Sequence, residues 1–139
     1  MKYMNVIPML ATEDMDVTID FYRDALGFEQ GDKFESGSVI WWCEMQRDDI
    51  TLMFTQHETH TDWPGAKEGF QQTSINFYVD DIEELYESLQ QKGYEASDMR
   101  VTFYKMKEFD MKDPTGYTLL FGQPTNEPPT VEDANPAPF

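Results

Sequence analysis

One half of the chain faintly repeats the other, and this internal similarity limits the possible folds more than any single motif does. Residues 14–29 and residues 81–95 both follow a short apolar stretch, begin at an aspartate, continue with helical spacing of apolar residues, and end in Gly-aromatic-Glu. The aspartates lie 67 residues apart and the glycines lie 66 residues apart. Self-similarity at such a period indicates two copies of one supersecondary unit.

The first copy predicts a strand, a helix and a hairpin. Residues 6–10 form the strand, and the helix runs from Asp14, a residue typical of N-caps, to Gly27, a residue typical of helix ends. Residues 39–45 and 50–55 are rich in apolar residues and flank a polar turn, which predicts a hairpin.

The second copy follows the same plan. Residues 74–79 form a strand, and the helix from Asp81 to Gly93 has apolar residues at i, i+3, i+4 and i+7. A long strand over residues 102–111 is predicted to pair with residues 117–121. The Asp-Pro-Thr-Gly turn between them suits a hairpin, because proline fixes φ and glycine accepts a positive φ.

The two copies define modules of residues 4–58 and 72–123. Each module alone would be marginally stable, so we expect the two to share a sheet within one domain of residues 1–123. From residue 124 onward the chain is rich in proline and acidic residues. This tail, residues 124–139, is expected to be disordered or loosely draped over the domain.

Charge and cysteine content exclude several classes of partner. The chain of 139 residues carries a net charge of −17, which argues against nucleic acid and anionic membrane surfaces as partners. The charge either serves solubility or attracts a cationic ligand. Cys43 is the only cysteine, so no internal disulfide is possible. With no signal-peptide pattern and no run of membrane-spanning length, the protein is expected in the cytoplasm.

The motifs of both copies resemble those of the vicinal oxygen chelate superfamily, which includes glyoxalase I, extradiol dioxygenases, fosfomycin-resistance enzymes and bleomycin-resistance proteins. The matching stretches are Phe-Tyr-(x)3-Leu-Gly-Phe at 21–28, Val-Asp-Asp-Ile at 79–82 and Asp-Pro-Thr-Gly-Tyr at 113–117. The resemblance covers residues 4–123. It implies an α+β fold in which two tandem βαβββ modules form a curved mixed sheet around a concave cleft. It does not fix an activity, because this scaffold carries several chemistries.

Metal-dependent members of the superfamily place His, Glu or Gln at four inward-facing strand positions. The resemblance puts these positions near Ile7, Met53, Ser74 and Leu120. Three of these side chains are apolar and the fourth is a weak neutral ligand, whereas a hard divalent ion needs several oxygen or imidazole ligands. We therefore expect no metal and no other cofactor at these positions.

Two further groups bear on catalysis. His57 and His60, with Glu58 between them, could bind zinc in the connection between the modules, although a polar loop without metal is the simpler interpretation. Cys43 has no motif that would place a histidine beside it, so no catalytic residue is assigned.

Strand alternation predicts a ligand-facing side that mixes apolar, aromatic and polar side chains, as a small-molecule cleft requires. Trp41 and Trp42 are adjacent and should point to opposite faces, so that one of them lies in the cleft, unless both serve only in packing. Tyr104 and Met106 share one parity of the predicted long strand. The predicted ligand-binding residues are Trp41, Trp42, Met53, Ser74, Asn76, Tyr78, Tyr104, Met106 and Leu120.

Three functions remain open. The first is a metal-independent small-molecule binding protein similar to bleomycin-resistance proteins, which sequester a cationic aromatic drug at a dimer interface. Residues 104–109 and 113–116 are similar to the corresponding stretch of those proteins, although Phe103-Tyr104 replaces their usual Trp-Gly. The second is a metal-dependent lyase or dioxygenase with displaced ligands, and the third is an interaction or structural dimer without a dedicated ligand. We favour the first, and by analogy we expect a homodimer.

Overall fold

The computed structural model describes residues 1–56 and 73–130, and the chain divides into two compact units, Met1–Ala66 and Lys67–Phe139, that each contain one predicted module. The first module contains β1 (Met9–Thr12), α1 (Met15–Asp24), β2 (Glu29–Ser36), β3 (Val39–Arg47) and β4 (Ile50–Gln56). The second contains β5 (Ser74–Tyr78), α2 (Ile82–Gln91), β6 (Arg100–Val101), β7 (Met106–Lys112) and β8 (Thr118–Pro124). Both modules have the predicted βαβββ order.

Each module forms a four-stranded mixed sheet with the same arrangement. The strand order is β1-β4-β3-β2 in the first module and β5-β8-β7-β6 in the second. The first strand of each module runs parallel to the last strand, and the remaining neighbours are antiparallel. The prediction of an α+β fold built from two tandem βαβββ modules is therefore confirmed. The expectation that the two modules share one sheet is wrong, because the described strands form a separate four-stranded sheet in each module.

Both helices begin with the predicted N-cap. The carboxylates of Asp14 and Asp81 accept hydrogen bonds from the backbone N–H groups of Val17 and Glu84, each at 3.1 Å. These bonds satisfy N–H groups that the first turn of a helix leaves without an intrahelical acceptor.

A second contact attaches each helix to its own sheet. The side-chain oxygen of Gln56, at the end of β4, accepts from the backbone N–H of Met15, and that of Gln123, in β8, accepts from the backbone N–H of Ile82. Both distances are 3.0 Å. The two glutamines occupy equivalent places in the repeat, so each module fixes the start of its helix in the same way.

Apolar residues fill the space between each helix and its sheet. In the first module the Tyr22 ring lies 4.7 Å from Phe54 and 5.9 Å from Phe28, measured between ring centroids. In the second module Phe121 stacks against Phe77 at 5.2 Å and Phe109 at 5.1 Å. Among the described residues, no helix is long and apolar enough to span a membrane.

The first strand begins later than predicted. It spans Met9–Thr12 rather than residues 6–10. Pro8 has no N–H to contribute to a ladder, and only its carbonyl group takes part, accepting from Met53 N–H at 2.9 Å. Residues 1–6, which precede it, are exposed.

The long strand predicted over residues 102–111 is shorter in the structure, because residues 102–105 form a turn between β6 and β7. The chain turns back after β6, where Thr102 N–H donates to Met106 O at 2.8 Å, and strand β7 starts only at Met106. Lys105 closes this turn with φ of 64°, a left-handed conformation that an extended strand does not contain. Strand β2 has few apolar residues, and the sequence pattern did not give its bounds.

The start of the C-terminal tail is hydrogen-bonded to the second module. Thr125 N–H donates to Lys105 O at 3.0 Å. Thr130 pairs with the short edge strand β6, because its N–H donates to Val101 O at 2.9 Å and its hydroxyl accepts from Val101 N–H at 2.8 Å. These bonds satisfy backbone groups that an edge strand otherwise leaves open. Residues 131–139 lie outside the described part.

Candidate functional site

The face of each sheet that lies opposite its helix is called its open face here, and it carries most of the predicted binding residues. In the first module the β3–β4 register pairs Trp42 with Thr55 and Glu44 with Met53. Met9 of β1 pairs with Met53 from the other side. These residues alternate with the buried Phe54, so they lie on the open face of the first sheet.

Trp41 does not follow the strict alternation assumed in the prediction. The β2–β3 register shifts between Phe34, which pairs with Trp42, and Glu35, which pairs with Ile40, so Trp41 is an extra residue in a β-bulge. Bulges locally redirect side chains. Trp41 and Trp42 are both half-buried, but only Trp42 is assigned to the open face by the ladder.

The open face of the second module contains the other predicted strand residues. The β5–β8 register pairs Ser74 with Thr118, Asn76 with Leu120, and Tyr78 with Gly122. Strand β7 continues these rows, with Asp110 opposite Leu120 and Glu108 opposite Gly122. Met106 lies two residues before Glu108 on β7 and shares its face. Five predicted residues therefore lie on the open face of the second module: Ser74, Asn76, Tyr78, Met106 and Leu120.

A glycine shapes the centre of this face. A Cβ atom at Gly122 would lie 2.9 Å from the methyl carbon of Met106, which covers the glycine backbone. Tyr78, which pairs with Gly122, is 75% exposed. The flexible methionine side chain fills the space that the missing Cβ leaves, and such a side chain adapts readily to a neighbouring group.

Tyr104 lies in the β6–β7 turn and not on a strand, so the shared strand parity predicted for Tyr104 and Met106 was wrong. The turn presents two aromatic side chains, since Phe103 is 55% exposed and Tyr104 is 39% exposed. Their rings meet edge to face, with centroids 5.1 Å apart and planes at 85°. This geometry is the favourable one for an aromatic pair.

A network of ionic groups that the sequence did not reveal lies beside this turn. Arg100 of β6 donates from Nε to Glu108 Oε1 at 3.3 Å and from Nη1 to Asp110 Oδ2 at 3.0 Å. Glu108 and Asp110 are 3% and 8% exposed, and the Arg100 side chain is 14% exposed. Ser97 joins the network, since its hydroxyl accepts from Asp110 N–H at 2.9 Å.

The network extends to the aromatic turn through a single hydrogen bond. The Tyr104 hydroxyl donates to Glu108 Oε1 at 2.9 Å. Burial of the hydroxyl and, second, this bond to Glu108 raise the pKa of Tyr104 to about 12. The phenol therefore stays protonated and keeps donating throughout the physiological pH range.

Arg100 also supplies the one buried polar side-chain atom of the described residues that lacks a hydrogen-bond partner, its Nη2. Two carboxylates face this one guanidinium, so the network has an excess of negative charge. A buried donor without an acceptor destabilises a protein by about 1–3 kcal/mol, which makes the arrangement unusual for a purely structural contact.

The residues at the four metal positions of the superfamily do not fit a metal ion. Met53 and Leu120 have apolar side chains, Ile7 precedes β1, and the Ser74 hydroxyl donates to Asn76 at 3.2 Å. Within residues 1–56 and 73–130, no group of three or more His, Cys, Asp or Glu residues could hold a metal. His57, Glu58 and His60 lie outside the described residues.

Cys43 has the surroundings of a core residue. It is 0% exposed, and its thiol lies 3.7 Å from the sulfur of Met15. Burial, with a smaller effect from Glu44, raises the pKa of the Cys43 thiol to about 11. A nucleophilic cysteine requires a lowered pKa instead.

Sequence reasoning missed the ionic network, although two patterns could have revealed it. Glu108 and Asp110 stand two apart in a strand whose other residues include Phe109 and Met111, so both carboxylates had to meet the same face of the sheet. A buried carboxylate requires a partner. Arg100, the nearest preceding arginine, lies on the neighbouring strand β6 of the same sheet and supplies that partner.

The match to known proteins covers most of the chain. The family model of the Glyoxalase/Bleomycin resistance protein/Dioxygenase superfamily matches residues 6–121. No curated protein sequence matches.

Solved structures share the fold at low sequence identity. A bleomycin resistance determinant encoded on the transposon Tn5 is 22% identical with a TM-score of 0.68, covering 90% of this chain and 100% of that chain. The bleomycin-binding protein from bleomycin-producing Streptomyces verticillus, complexed with copper(II)-bleomycin, is 22% identical with a TM-score of 0.65, covering 91% and 99%. TioX from Micromonospora sp. ML1 is 15% identical with a TM-score of 0.69, covering 87% and 98%. These structures share the fold, and the family match over residues 6–121 shows that the chain belongs to the Glyoxalase/Bleomycin resistance protein/Dioxygenase superfamily.

Proposed function

We propose that the protein is a metal-independent binding protein for a small molecule that combines a planar aromatic ring with positive charge. The observation that carries this proposal is the pairing of exposed aromatic rings with buried negative charge in the second module. Phe103 and Tyr104 are partly exposed, and Tyr104 is bonded to a network in which two carboxylates face one guanidinium. Aromatic faces attract planar rings and cations.

The overall charge supports the same ligand class. A net charge of −17 attracts cations over a long range and repels anionic compounds. The donor set at Ile7, Met53, Ser74 and Leu120 gives no support to metal-dependent chemistry. Bleomycin occurs with two of the structurally similar proteins, so it belongs among the first compounds to test, together with simpler cationic aromatics.

The test is a binding measurement with a matched set of probes. Wild-type protein is titrated by calorimetry with bleomycin, with ethidium as a planar cation and with 1-naphthalenesulfonate as a planar anion, and thermal shifts are recorded with zinc, nickel and manganese salts. We expect saturable binding of at least one cationic aromatic, and stabilisation of about 2.7 kcal/mol at a ligand concentration of 100 Kd. Metal content of the purified protein is determined in parallel.

Three results would contradict the proposal. Stoichiometric bound metal, or stabilisation by a divalent ion with none by the organic probes, would favour a metal-dependent enzyme with displaced ligands. Equal affinity for the anionic and cationic probes would remove the role of charge. No binding of any probe or metal would favour an interaction dimer without a dedicated ligand.

We further propose that the protein is a cytoplasmic homodimer that confers resistance by sequestration. A single buried cysteine suits a reducing compartment.

An exposed apolar segment precedes edge strand β1, with Tyr3, Met4 and Val6 each more than 80% exposed, and such patches mark interaction surfaces. Light scattering should give twice the 16.3 kDa monomer mass, and a Met4→Glu, Val6→Glu double variant should be monomeric. A monomeric wild type would overturn the dimer without affecting ligand binding.

A further inference from the structure

The ionic network of the second module is not required by the fold, because the first module builds the same sheet without it. Cys43 pairs with Phe54 in the first sheet as Phe109 pairs with Phe121 in the second. Glu108, which precedes Phe109, therefore occupies the place that Trp42 occupies in the first module. An aromatic side chain is sufficient at this place of the sheet.

Stability gives no reason for the network either. Replacing a buried ionic cluster by apolar residues of similar volume is often neutral or stabilising, because desolvation of the charges offsets their attraction. Here the unpartnered Arg100 Nη2 adds a further cost. The network therefore requires another explanation, and its neighbour Tyr104 supplies one.

The network holds an exposed aromatic ring in one orientation. The Tyr104 hydroxyl is bonded to Glu108, which is 3% exposed and is itself bonded to Arg100. The other side of the ring meets Phe103 edge to face. The backbone of the turn is held as well, since Thr102 bonds Met106 through both its backbone N–H and its hydroxyl. Side chains that are partly exposed on turns are normally mobile, so this degree of fixation is unusual.

We propose that Glu108, held by Arg100, is a positioning residue that presets the Tyr104 ring as a stacking surface for the planar ring of the ligand. This inference rests on the proposed function and specifies how its site selects a ligand. A fixed ring favours rigid, flat ligands over flexible ones, because stacking then requires no further ordering of the protein.

The expected size of the effect follows from side-chain ordering. Immobilising one rotamer-rich side chain on binding costs an amount equivalent to about 2- to 10-fold in affinity. Presetting Tyr104 removes this cost, so variants that release the ring should bind a planar cation about 2- to 10-fold more weakly.

The experiment uses the full-length protein and ethidium, whose fluorescence reports binding. Tyr104→Phe keeps the ring and removes the hydroxyl, and Glu108→Gln keeps the shape and removes the charge. Glu87→Gln, which makes the same change at an exposed position of helix α2 away from the open face, is the matched control. We expect both test variants to bind ethidium more weakly, the control to bind like wild type, and the Tyr104→Phe, Glu108→Gln double variant to bind no more weakly than either single variant.

A ligand-free measurement separates positioning from a general structural role. In protein labelled with 13C-tyrosine, the Tyr104 phenol should titrate near 12 in the wild type. In Glu108→Gln we expect its pKa to shift toward the ordinary tyrosine value. A role in stability alone would lower the thermal midpoint of Glu108→Gln without changing the ethidium affinity of the folded protein.

Each remaining outcome decides the inference. If wild type binds ethidium and Tyr104→Phe binds it equally well, the positioning role is overturned while the proposed function stands. If Glu108→Gln weakens binding and Tyr104→Phe does not, Glu108 acts directly on the ligand charge. If wild type binds no cationic aromatic, the proposed function and this inference fall together. Should Glu108→Gln fail to fold, Tyr104→Phe alone decides.

Discussion

The two modules share the residues that attach helix to sheet and differ in the residues of the open face. Gln56 and Gln123 accept from the first backbone N–H of their helices at the same distance, and Asp14 and Asp81 cap those helices identically. On the open faces, by contrast, half-buried Trp42 in the first module corresponds to buried, ion-paired Glu108 in the second.

This difference separates what the fold needs from what the protein adds to it. Both sheets form with four strands in the same order, so any feature present in only one module is not required for the architecture. The ionic network and the aromatic turn at Phe103 and Tyr104 belong to this second group. They are consequently the better candidates for function, whereas the shared glutamines and aspartates are candidates for stability.

The equivalence of the two cores gives the largest expected effects. Phe54 and Phe121 are 1% and 3% exposed and hold equivalent positions. Phe54→Ala and Phe121→Ala should each lower the free energy of unfolding by about 3–5 kcal/mol, because each leaves a cavity among packed aromatic rings. Urea denaturation followed by circular dichroism measures both. A cost below 1 kcal/mol for either variant would show that the two cores are not equivalent.

The next largest effect on stability should come from the ionic network of the second module, which the first module lacks. Asp110→Asn removes the charge of a partner of buried Arg100 and should cost about 1.5–3 kcal/mol, the range for hydrogen bonds to charged groups. Glu44→Gln changes the equivalent strand position of the first module, where the carboxylate accepts from Gln46 at 3.1 Å at the surface, and should change stability by less than about 0.5 kcal/mol. Equal costs in chemical denaturation would remove the contrast between the open faces.

The two glutamine contacts should stabilise their modules by similar amounts, which are smaller than the contribution of the ionic network. Gln56→Met and Gln123→Met each remove an acceptor for a helix N–H and should each cost about 1 kcal/mol. Gln123 also donates to Asp80 O at 2.6 Å, so its variant should cost at least as much as that of Gln56. The unfolding midpoint in urea measures this, and a stabilising effect of either substitution would contradict the shared role.

The sequence alone predicted the architecture because the repeat appears in local patterns. Asp caps, helical spacing and turn residues act within a few residues, and each recurs at the same offset. The four metal positions were assigned only through the resemblance to the family, and that assignment stays a prediction. The Gln56 and Gln123 contacts were missed, although their separation of 67 residues follows the same repeat.

The features that could not be predicted depend on contacts between strands. A bulge at Trp41 broke the alternation rule, and the sequence of a strand does not show where its partner shifts register. The turn at residues 102–105 was predicted as strand because its aromatic residues have high strand propensity. Lys105 in a left-handed conformation cancels that propensity, and the resulting turn brings Tyr104 to Glu108.

The smallest predicted effect is on the pH dependence of stability, and it concerns a core position at which the two modules have different side chains. Cys43 corresponds to Phe109, and burial raises the pKa of its thiol from 9.0 to about 11. Between these pH values the unfolded chain ionises its thiol while the folded chain does not, so the stability from the neutral thiol is lost as the pH rises. From pH 8 to pH 9.5 this loss should amount to about 1 kcal/mol.

Cys43→Val provides the matched variant, because it fills the same space without a titrating group. The difference in unfolding free energy between wild type and Cys43→Val should therefore shift by this amount over the same pH interval, with tyrosine ionisation common to both proteins. Native protein should also resist alkylation by iodoacetamide at pH 8, since the 0% exposed thiol is neutral there. The prediction is wrong if the Cys43 thiol of the folded protein titrates near 9 or is alkylated as fast as a free thiol. Either result would mean that solvent reaches the core of the first module at Cys43, whereas the equivalent Phe109 is buried in the second.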